Sequence, residues 1–440
     1  MPQESFAKKK ISALLKGLHI IKADSIKQDA SQFYYRPPHI RLVNLVGRVL
    51  ERLGISPANW SEDSLMAAAC KNTGLSDWGD ESIREPLRVL LESFRKDAKL
   101  NSVGWFAVYK TLTRHLSNRL RIQDEVKRHP EILKQEIHKP LFIISFPRTG
   151  TTLLHRLLAQ DPANRSLRCW EALCPVPPPD PQTDEVDPRI TATEEELEKF
   201  YKIAPNFHAI HSVGAKEQEE CFFLFMNTFT SSDFQVYGEI PTYHKWFIKQ
   251  DLVPAYIFYR RQLQLLQWRY PTSRWILKAP SHMYGLDALF TVFPDACVLQ
   301  IHRHPFRTVP SKCSLLANIY GVFSDNLDLS VIGRDYLRHC EILTEKNIKV
   351  RDTVDSAQFF DIDYKDLVHD LAGSVRRIYE YFGKQYDAGF EERIRRYIAA
   401  NPKDKHGVHR YSLEQFGLNR EMVNRSFAAY YERFGVPPGC

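Results

Sequence analysis

The run Ser145-Phe146-Pro147-Arg148-Thr149-Gly150-Thr151-Thr152-Leu153-Leu154 sets a guanidinium, several hydroxyls and one glycine directly behind the apolar segment Leu141-Phe142-Ile143-Ile144. These residue types suit a tetrahedral oxyanion. Arg148 offers a planar cationic fork, Thr151 and Thr152 add hydroxyl donors, and Gly150 lets the backbone approach an anion closely. The β-favouring run, the turn, and Leu153, Leu154, Leu157 and Leu158 at helical spacing predict strand, loop, helix. A helix start carries backbone N–H groups without intrahelical partners and the positive end of a dipole, so a phosphate or sulfate is expected there. The loop departs from the Gly-x4-Gly-Lys-Ser/Thr pattern of nucleotide triphosphatases: Ser145 stands at the first glycine and Thr151 at the lysine.

Other chemistry-bearing residues fall at predicted strand ends. Ala296 to His302 reads as a buried strand that ends in Arg303-His304-Pro305, followed by a helical pattern from near Thr308 that carries Ser311. Trp275 to Leu277 reads as a strand that delivers Lys278 and then His282 to one end of a sheet, where open α/β sheets bind ligands. Carboxylates follow the first loop at Glu171 and again at Glu217, Glu219 and Glu220, the last three at an acidic helix start. His208 and His211 have a spacing compatible with a metal, yet no further ligand cluster follows and no metal is expected.

Pro-Arg-Thr-Gly-Thr-Thr after a hydrophobic strand resembles the 5′-phosphosulfate loop of sulfotransferases, which use 3′-phosphoadenosine 5′-phosphosulfate (PAPS). The resemblance implies that Arg148, Thr149, Gly150, Thr151 and Thr152 hold the donor and that Arg303 and Ser311, eight residues apart, clamp its 3′-phosphate. Lys278 matches the lysine that steadies the transferring group in protein-tyrosine sulfotransferases, and Glu171 stands about where those enzymes place a basic glutamate. His282 is similar in place to a histidine of some bacterial relatives, so Glu171 or His282 is expected to take the acceptor's proton. A basic loop, with Lys405, Gly407 and Arg410, is expected over the 3′-phosphate. The motifs span about residues 138 to 412.

The resemblance further implies an α/β fold: a P-loop-like parallel sheet flanked by helices, with a helical N-terminal region at residues 1–137 and a PAPS-binding domain at 138–440. A helical acceptor-side insertion is expected at about 190–270. The implied reaction is in-line sulfuryl transfer from PAPS to a hydroxyl or amine of a small or carrier-bound acceptor, leaving the desulfated product PAP. A P-loop-type kinase and a non-enzymatic nucleotide-binding protein are the alternatives. The first lacks the loop lysine and an evident acidic magnesium site; the second would need loss of the phosphate donors, which are intact.

Composition is compatible with a folded enzyme: 440 residues, 43% hydrophobic and 12% aromatic. The net charge of +7 arises from 60 basic against 53 acidic residues, a mixed surface that does not imply nucleic-acid binding. Eight scattered cysteines without a Cys-x-x-Cys pair read as reduced thiols. No apolar run reaches the roughly 18 residues of a spanning helix and no signal-peptide core follows Lys8-Lys9-Lys10, so a soluble cytoplasmic protein is expected.

Elements that would position these residues can be placed. Ile40 to Leu50 and Pro86 to Phe94 show apolar residues at helical spacing, expected to face the core, with Ser61 and Asp80 as candidate N-caps. Pro175 to Pro188 holds six prolines in fourteen residues and is expected to be extended. Thr191 to Tyr270 reads as helical and aromatic-rich, and Gln358 to Ile362 as a further strand leading to a helix entrance at Tyr364.

Overall fold

The computed structural model describes residues 30–53, 60–80, 82–210, 213–270, 274–401 and 411–438. Its centre is a five-stranded sheet of β1 (Leu141–Ile144), β2 (Asn164–Ser166), β3 (Arg274–Lys278), β4 (Cys297–His302) and β5 (Phe359–Asp363). The order is β2-β3-β1-β4-β5 and every pair is parallel. β1 is central, in register with Ile276 and Cys297 at Leu141, and all its residues are buried. Burial on both faces explains its uninterrupted apolar run. Successive chain segments leave β1 toward opposite edges, so the crevice at its carboxyl end is the place where such sheets take ligands.

The strand period of two divides the core. Phe142 and Ile144 pack with Leu65, Leu87 and Leu116 of the N-terminal helices, whereas Leu141 and Ile143 pack with Leu154, Ile276, Leu299 and Ile378 on the other face. The long helix Ser102–Arg128 contributes Leu116 to the first of these clusters, and the helix Glu62–Thr73 lies against it.

Ser61 caps the helix Glu62–Thr73, its Oγ accepting from Ser64 N at 3.1 Å. Asp80 does not cap: the helix Arg84–Lys96 starts after Ile83 without a side-chain cap, and Asp80 instead accepts from Ser82 N and from Arg119. The helix Pro38–Arg52 also departs from expectation. It rests on Ile40, Asn44 and Gly47, leaving Leu42, Val43, Leu45, Val46, Val49 and Leu50 exposed. Gly47 fixes that choice, because a Cβ there would lie 1.7 Å from Ser102 Oγ. The proline-rich segment ends in the helix Pro188–Ile203, which Pro188 opens and Asp187 caps.

Candidate active site

The loop behind β1 is pinned from inside. Ser145 Oγ donates to the carbonyl of Ile301, and Thr149 Oγ1 donates to Ser145 Oγ at 2.8 Å. Thr149 is buried, and its hydroxyl bonds within the loop, to Ser145 Oγ and the Phe146 carbonyl. Gly150 has φ +89 and precedes the helix Thr151–Leu158; a Cβ there would come 3.2 Å from the Tyr364 ring. Only glycine takes that backbone and that space readily. Arg148 also has positive φ, at 73°, an uncommon state for a side-chain-bearing residue that the surrounding contacts must hold.

Those contacts come from the second predicted site. Arg303 Nη1 donates to the Arg148 carbonyl at 2.6 Å, and its guanidinium stacks 4.0 Å from the centre of the Tyr364 ring. Arg148 Nε donates to Ser311 Oγ at 3.2 Å. The two expected anion-binding sets are therefore one cluster. Ser311 sits deeper than the pattern predicted, because the helix Pro305–Phe323 begins at Pro305, with His304 Nδ1 accepting from Phe306 N. Burial lowers the Arg148 pKa, with Arg303 adding to that effect and Tyr411, Tyr364 and Glu220 opposing it.

Lys278, at the end of β3, is almost fully buried, and its Nζ lies 2.6 Å from Glu220 Oε1 and 3.3 Å from Thr152 Oγ1. It thereby joins the donor-loop helix to a carboxylate. Glu220 is reached through the loop ahead of Phe222, where Cys221 N donates to the Lys278 carbonyl at 2.9 Å. Its neighbours serve elsewhere: Glu217 pairs with Arg156, and Glu219 is buried and accepts from Glu220 N. Burial pushes the Glu219 carboxyl up to about 7 against the pull of Lys278.

Glu171 does not join this group. Its carboxylate is fully buried, 2.7 Å from both Arg165 Nη2 and Arg168 Nη2, and it also accepts from Arg168 N at 3.0 Å. Burial alone would raise its pKa, but the two guanidinium groups outweigh that and hold it low. With Asp184 accepting from Arg168, Glu171 anchors a structural ion-pair network. His282 is also buried, among Phe142, Phe225 and Tyr259, with Nδ1 2.9 Å from Tyr256 Oη and Nε2 without a partner. Burial drops its pKa to about 3, partly opposed by Glu220, so the ring is neutral.

Sequence reasoning passed over Lys312 and Asp233. Lys312 follows Ser311, and burial lowers its ammonium pKa while Glu220 and Asp233 oppose the shift. Burial raises the Asp233 carboxyl to about 6. A lysine in the apolar stretch Val309 to Leu316 was the available signal. Lys405, Gly407 and Arg410 lie outside the described residues, as does His211.

A parallel sheet with a glycine-containing loop and a helix start at the carboxyl end of its central strand, and a lysine–carboxylate pair beside it, is an arrangement suited to an anionic ligand. The model of the sulfotransferase family matches residues 140–388, and the chain belongs to that family: it is a sulfotransferase. Omega-hydroxy-beta-dihydromenaquinone-9 sulfotransferase Stf3 of Mycobacterium bovis and of Mycobacterium tuberculosis is 27% identical over 313 residues, 67% of this chain and 75% of the relative. Sulfotransferase STF1 from Mycobacterium tuberculosis H37Rv is 34% identical with a TM-score of 0.76, over 84% of this chain and 98% of that one. Sulfotransferase STF9 from Mycobacterium avium is 29% identical with a TM-score of 0.80, over 86% of this chain and 98% of that one. Among the described residues, no helix is long and apolar enough to cross a membrane.

Proposed function

We propose that the protein transfers a sulfuryl group from PAPS to a hydroxyl of a small-molecule acceptor. The observation that carries this reading is the union of two anion-binding sets through Arg148, whose side chain meets Ser311 and whose carbonyl meets Arg303. A donor with phosphate groups at its two ends needs such paired sets, and the helix that starts behind Gly150 offers backbone N–H groups to an anion. The relatives named for an omega-hydroxy acceptor support a hydroxyl as the group modified. We assign the helical region 1–137 to support of the donor domain 138–440, with the segment 190–270 on the acceptor side. The free cysteines fit the expected cytoplasmic setting.

Bound PAPS supplies an activated sulfuryl group. Arg148, Thr151, Thr152 and the first N–H groups of the helix Thr151–Leu158 hold its oxygens, with Arg303 and Ser311 at the 3′-phosphate. Lys278 Nζ spends two of its three N–H donors on Glu220 and Thr152, and the third is directed to the charge that develops on the leaving phosphate. Glu220 takes the acceptor's proton. We prefer it to Glu171 because Glu171 is sealed between two arginines, and to His282 because that ring is buried in an aromatic cage. Titration of the protein with PAP and separately with ATP plus magnesium tests the reading: PAP is expected to bind more tightly, and preference for ATP would return the kinase alternative.

A further inference from the structure

Contacts along one side fix the rotation of the helix Pro38–Arg52. Ile40 is buried, Asn44 Oδ1 accepts from Val103 N at 3.2 Å, and Gly47 packs so close to Ser102 that a Cβ would clash with its hydroxyl. Ahead of the helix, Arg36 donates to the carbonyls of Val322 and Ser324 at 3.0 and 2.8 Å and pairs with Asp325. The opposite side is aliphatic. Leu42, Leu45, Val46 and Val49 recur there at helical spacing, and Leu53 continues the row just past the helix, its N–H still bonded to the Val49 carbonyl at 3.2 Å. All five are exposed, Leu42 by 61% and Leu53 by 70%, and Val43 and Leu50 widen the band. A single exposed leucine is ordinary, whereas a contiguous aliphatic band marks a contact with a protein or a membrane.

Charge decides between those partners. Arg41, Arg48 and Arg52 are exposed and, at helical spacing, follow one border of the band. Arg48 shares Asp325 with Arg36, and Glu51 is the one acidic residue in the helix, so the border keeps a positive sign. The chain ahead of it has the same sign: residues 1–29 hold Lys8, Lys9, Lys10, Lys16, Lys22 and Lys27 against Glu4, Asp24 and Asp29. A second copy of this face, or residues 1–29 laid over it, would bring like charges together. Anionic lipid headgroups are complementary to both stretches. Side-chain type agrees, because the band holds no aromatic residue, the kind that the centres of protein interfaces concentrate, while an aliphatic row bordered by arginine stems suits the boundary between headgroups and acyl chains.

We propose that the outward face of the helix Pro38–Arg52 docks the protein on an anionic lipid surface. Leu42, Leu45, Val46, Val49 and Leu53 enter the acyl boundary, and Arg41, Arg48 and Arg52 meet headgroup phosphates. The helix lies in the membrane surface and does not cross it: 15 residues, about 22 Å, fall short of a bilayer core, and its other side is committed to the protein.

Co-sedimentation of the full-length protein with vesicles tests the assignment, using phosphatidylcholine alone and phosphatidylcholine mixed with phosphatidylglycerol. The wild type is expected to pellet with the mixed vesicles, to favour them over phosphatidylcholine alone, and to be released progressively as salt is raised. Leu45→Glu combined with Val49→Glu should lower the partition coefficient at least about tenfold. The melting temperature should stay at the wild-type value, because both side chains stand in solvent. Arg52→Gln should lower partitioning about fivefold, the worth of one basic residue at an anionic surface, with the aliphatic band intact. Equal partitioning of the double variant and the wild type would place any attachment elsewhere in the chain and overturn the proposal. Equal binding to both kinds of vesicle would overturn the anionic assignment. A wild type that ignores both vesicles would also overturn it, and if ultracentrifugation then showed a dimer that the double variant separates, the face would belong to a second copy.

Discussion

Lys278 Nζ and Glu220 Oε1 stand 2.6 Å apart at the carboxyl end of β3, with Thr152 of the donor-loop helix as the lysine's second partner. The pair places a cation and a carboxylate in direct contact beside the donor-loop helix. In the proposed reaction, an anion that draws the lysine away frees the carboxylate to accept a proton.

Glu220→Gln should therefore lower turnover by about 100- to 10,000-fold while PAP affinity changes little, because loss of a general base acts on the chemical step. Single-turnover rates with labelled PAPS and calorimetry with PAP read the two effects separately. A variant with wild-type turnover would remove Glu220 from the mechanism.

Arg303→Ala should weaken PAP far more than 5′-AMP, which lacks the 3′-phosphate. The same change releases the Arg148 carbonyl and the Tyr364 ring, so some loss for 5′-AMP is expected as well. Parallel titrations with both nucleotides give the ratio; equal losses would show that Arg303 only supports the loop.

Gly150→Ala should cost about 1–2 kcal/mol of stability, since alanine resists the left-handed backbone and its Cβ meets Tyr364. PAP binding should fall with it. Thermal melts of apo and PAP-bound protein check both, and an unchanged melting temperature would show that the loop relaxes freely.

Glu171→Gln should spare turnover per folded molecule and lower stability at neutral pH by on the order of 3–5 kcal/mol, the cost of breaking a buried ion pair on one side. The sign of the pH dependence follows from its lowered pKa. Its contribution is fully present above the ordinary carboxylate value of 4.5 and is lost as pH falls through the lower folded value, so the gap between variant and wild type should narrow in acid. Denaturant unfolding at pH 7 and below pH 4 measures it; a constant gap would mean that packing and not charge is lost.

Much of this site was legible in the chain because it is built from local patterns. Strand, loop and helix around Gly150 follow from an apolar run, a glycine and leucines at helical spacing, and β4 with Arg303 follows in the same way. The environment of the candidate bases was not legible. Glu171 sits at a plausible distance from the loop, but its neighbours Arg165 and Arg168 neutralise it, and their presence three and six residues before an acid was the signal to weigh. The Lys278–Glu220 contact joins residues 58 apart and His282–Tyr256 joins residues 26 apart, so only the packed fold brings them together. The exposed face of the helix Pro38–Arg52 went astray for a related reason: its periodicity shows two stripes, and the small residue Gly47 decides which one packs.

Calorimetric titration of PAP into the wild type and Arg148→Ala tests the donor cradle most directly. Arg148 touches Ser311 through its side chain and Arg303 through its carbonyl, and the substitution removes the first contact while leaving the second. Loss of one charge-assisted bond to a phosphate or sulfate group predicts a weakening of about 1.5–3 kcal/mol, roughly 10- to 150-fold, in a protein that remains folded. Unchanged PAP affinity in the folded variant would contradict the account.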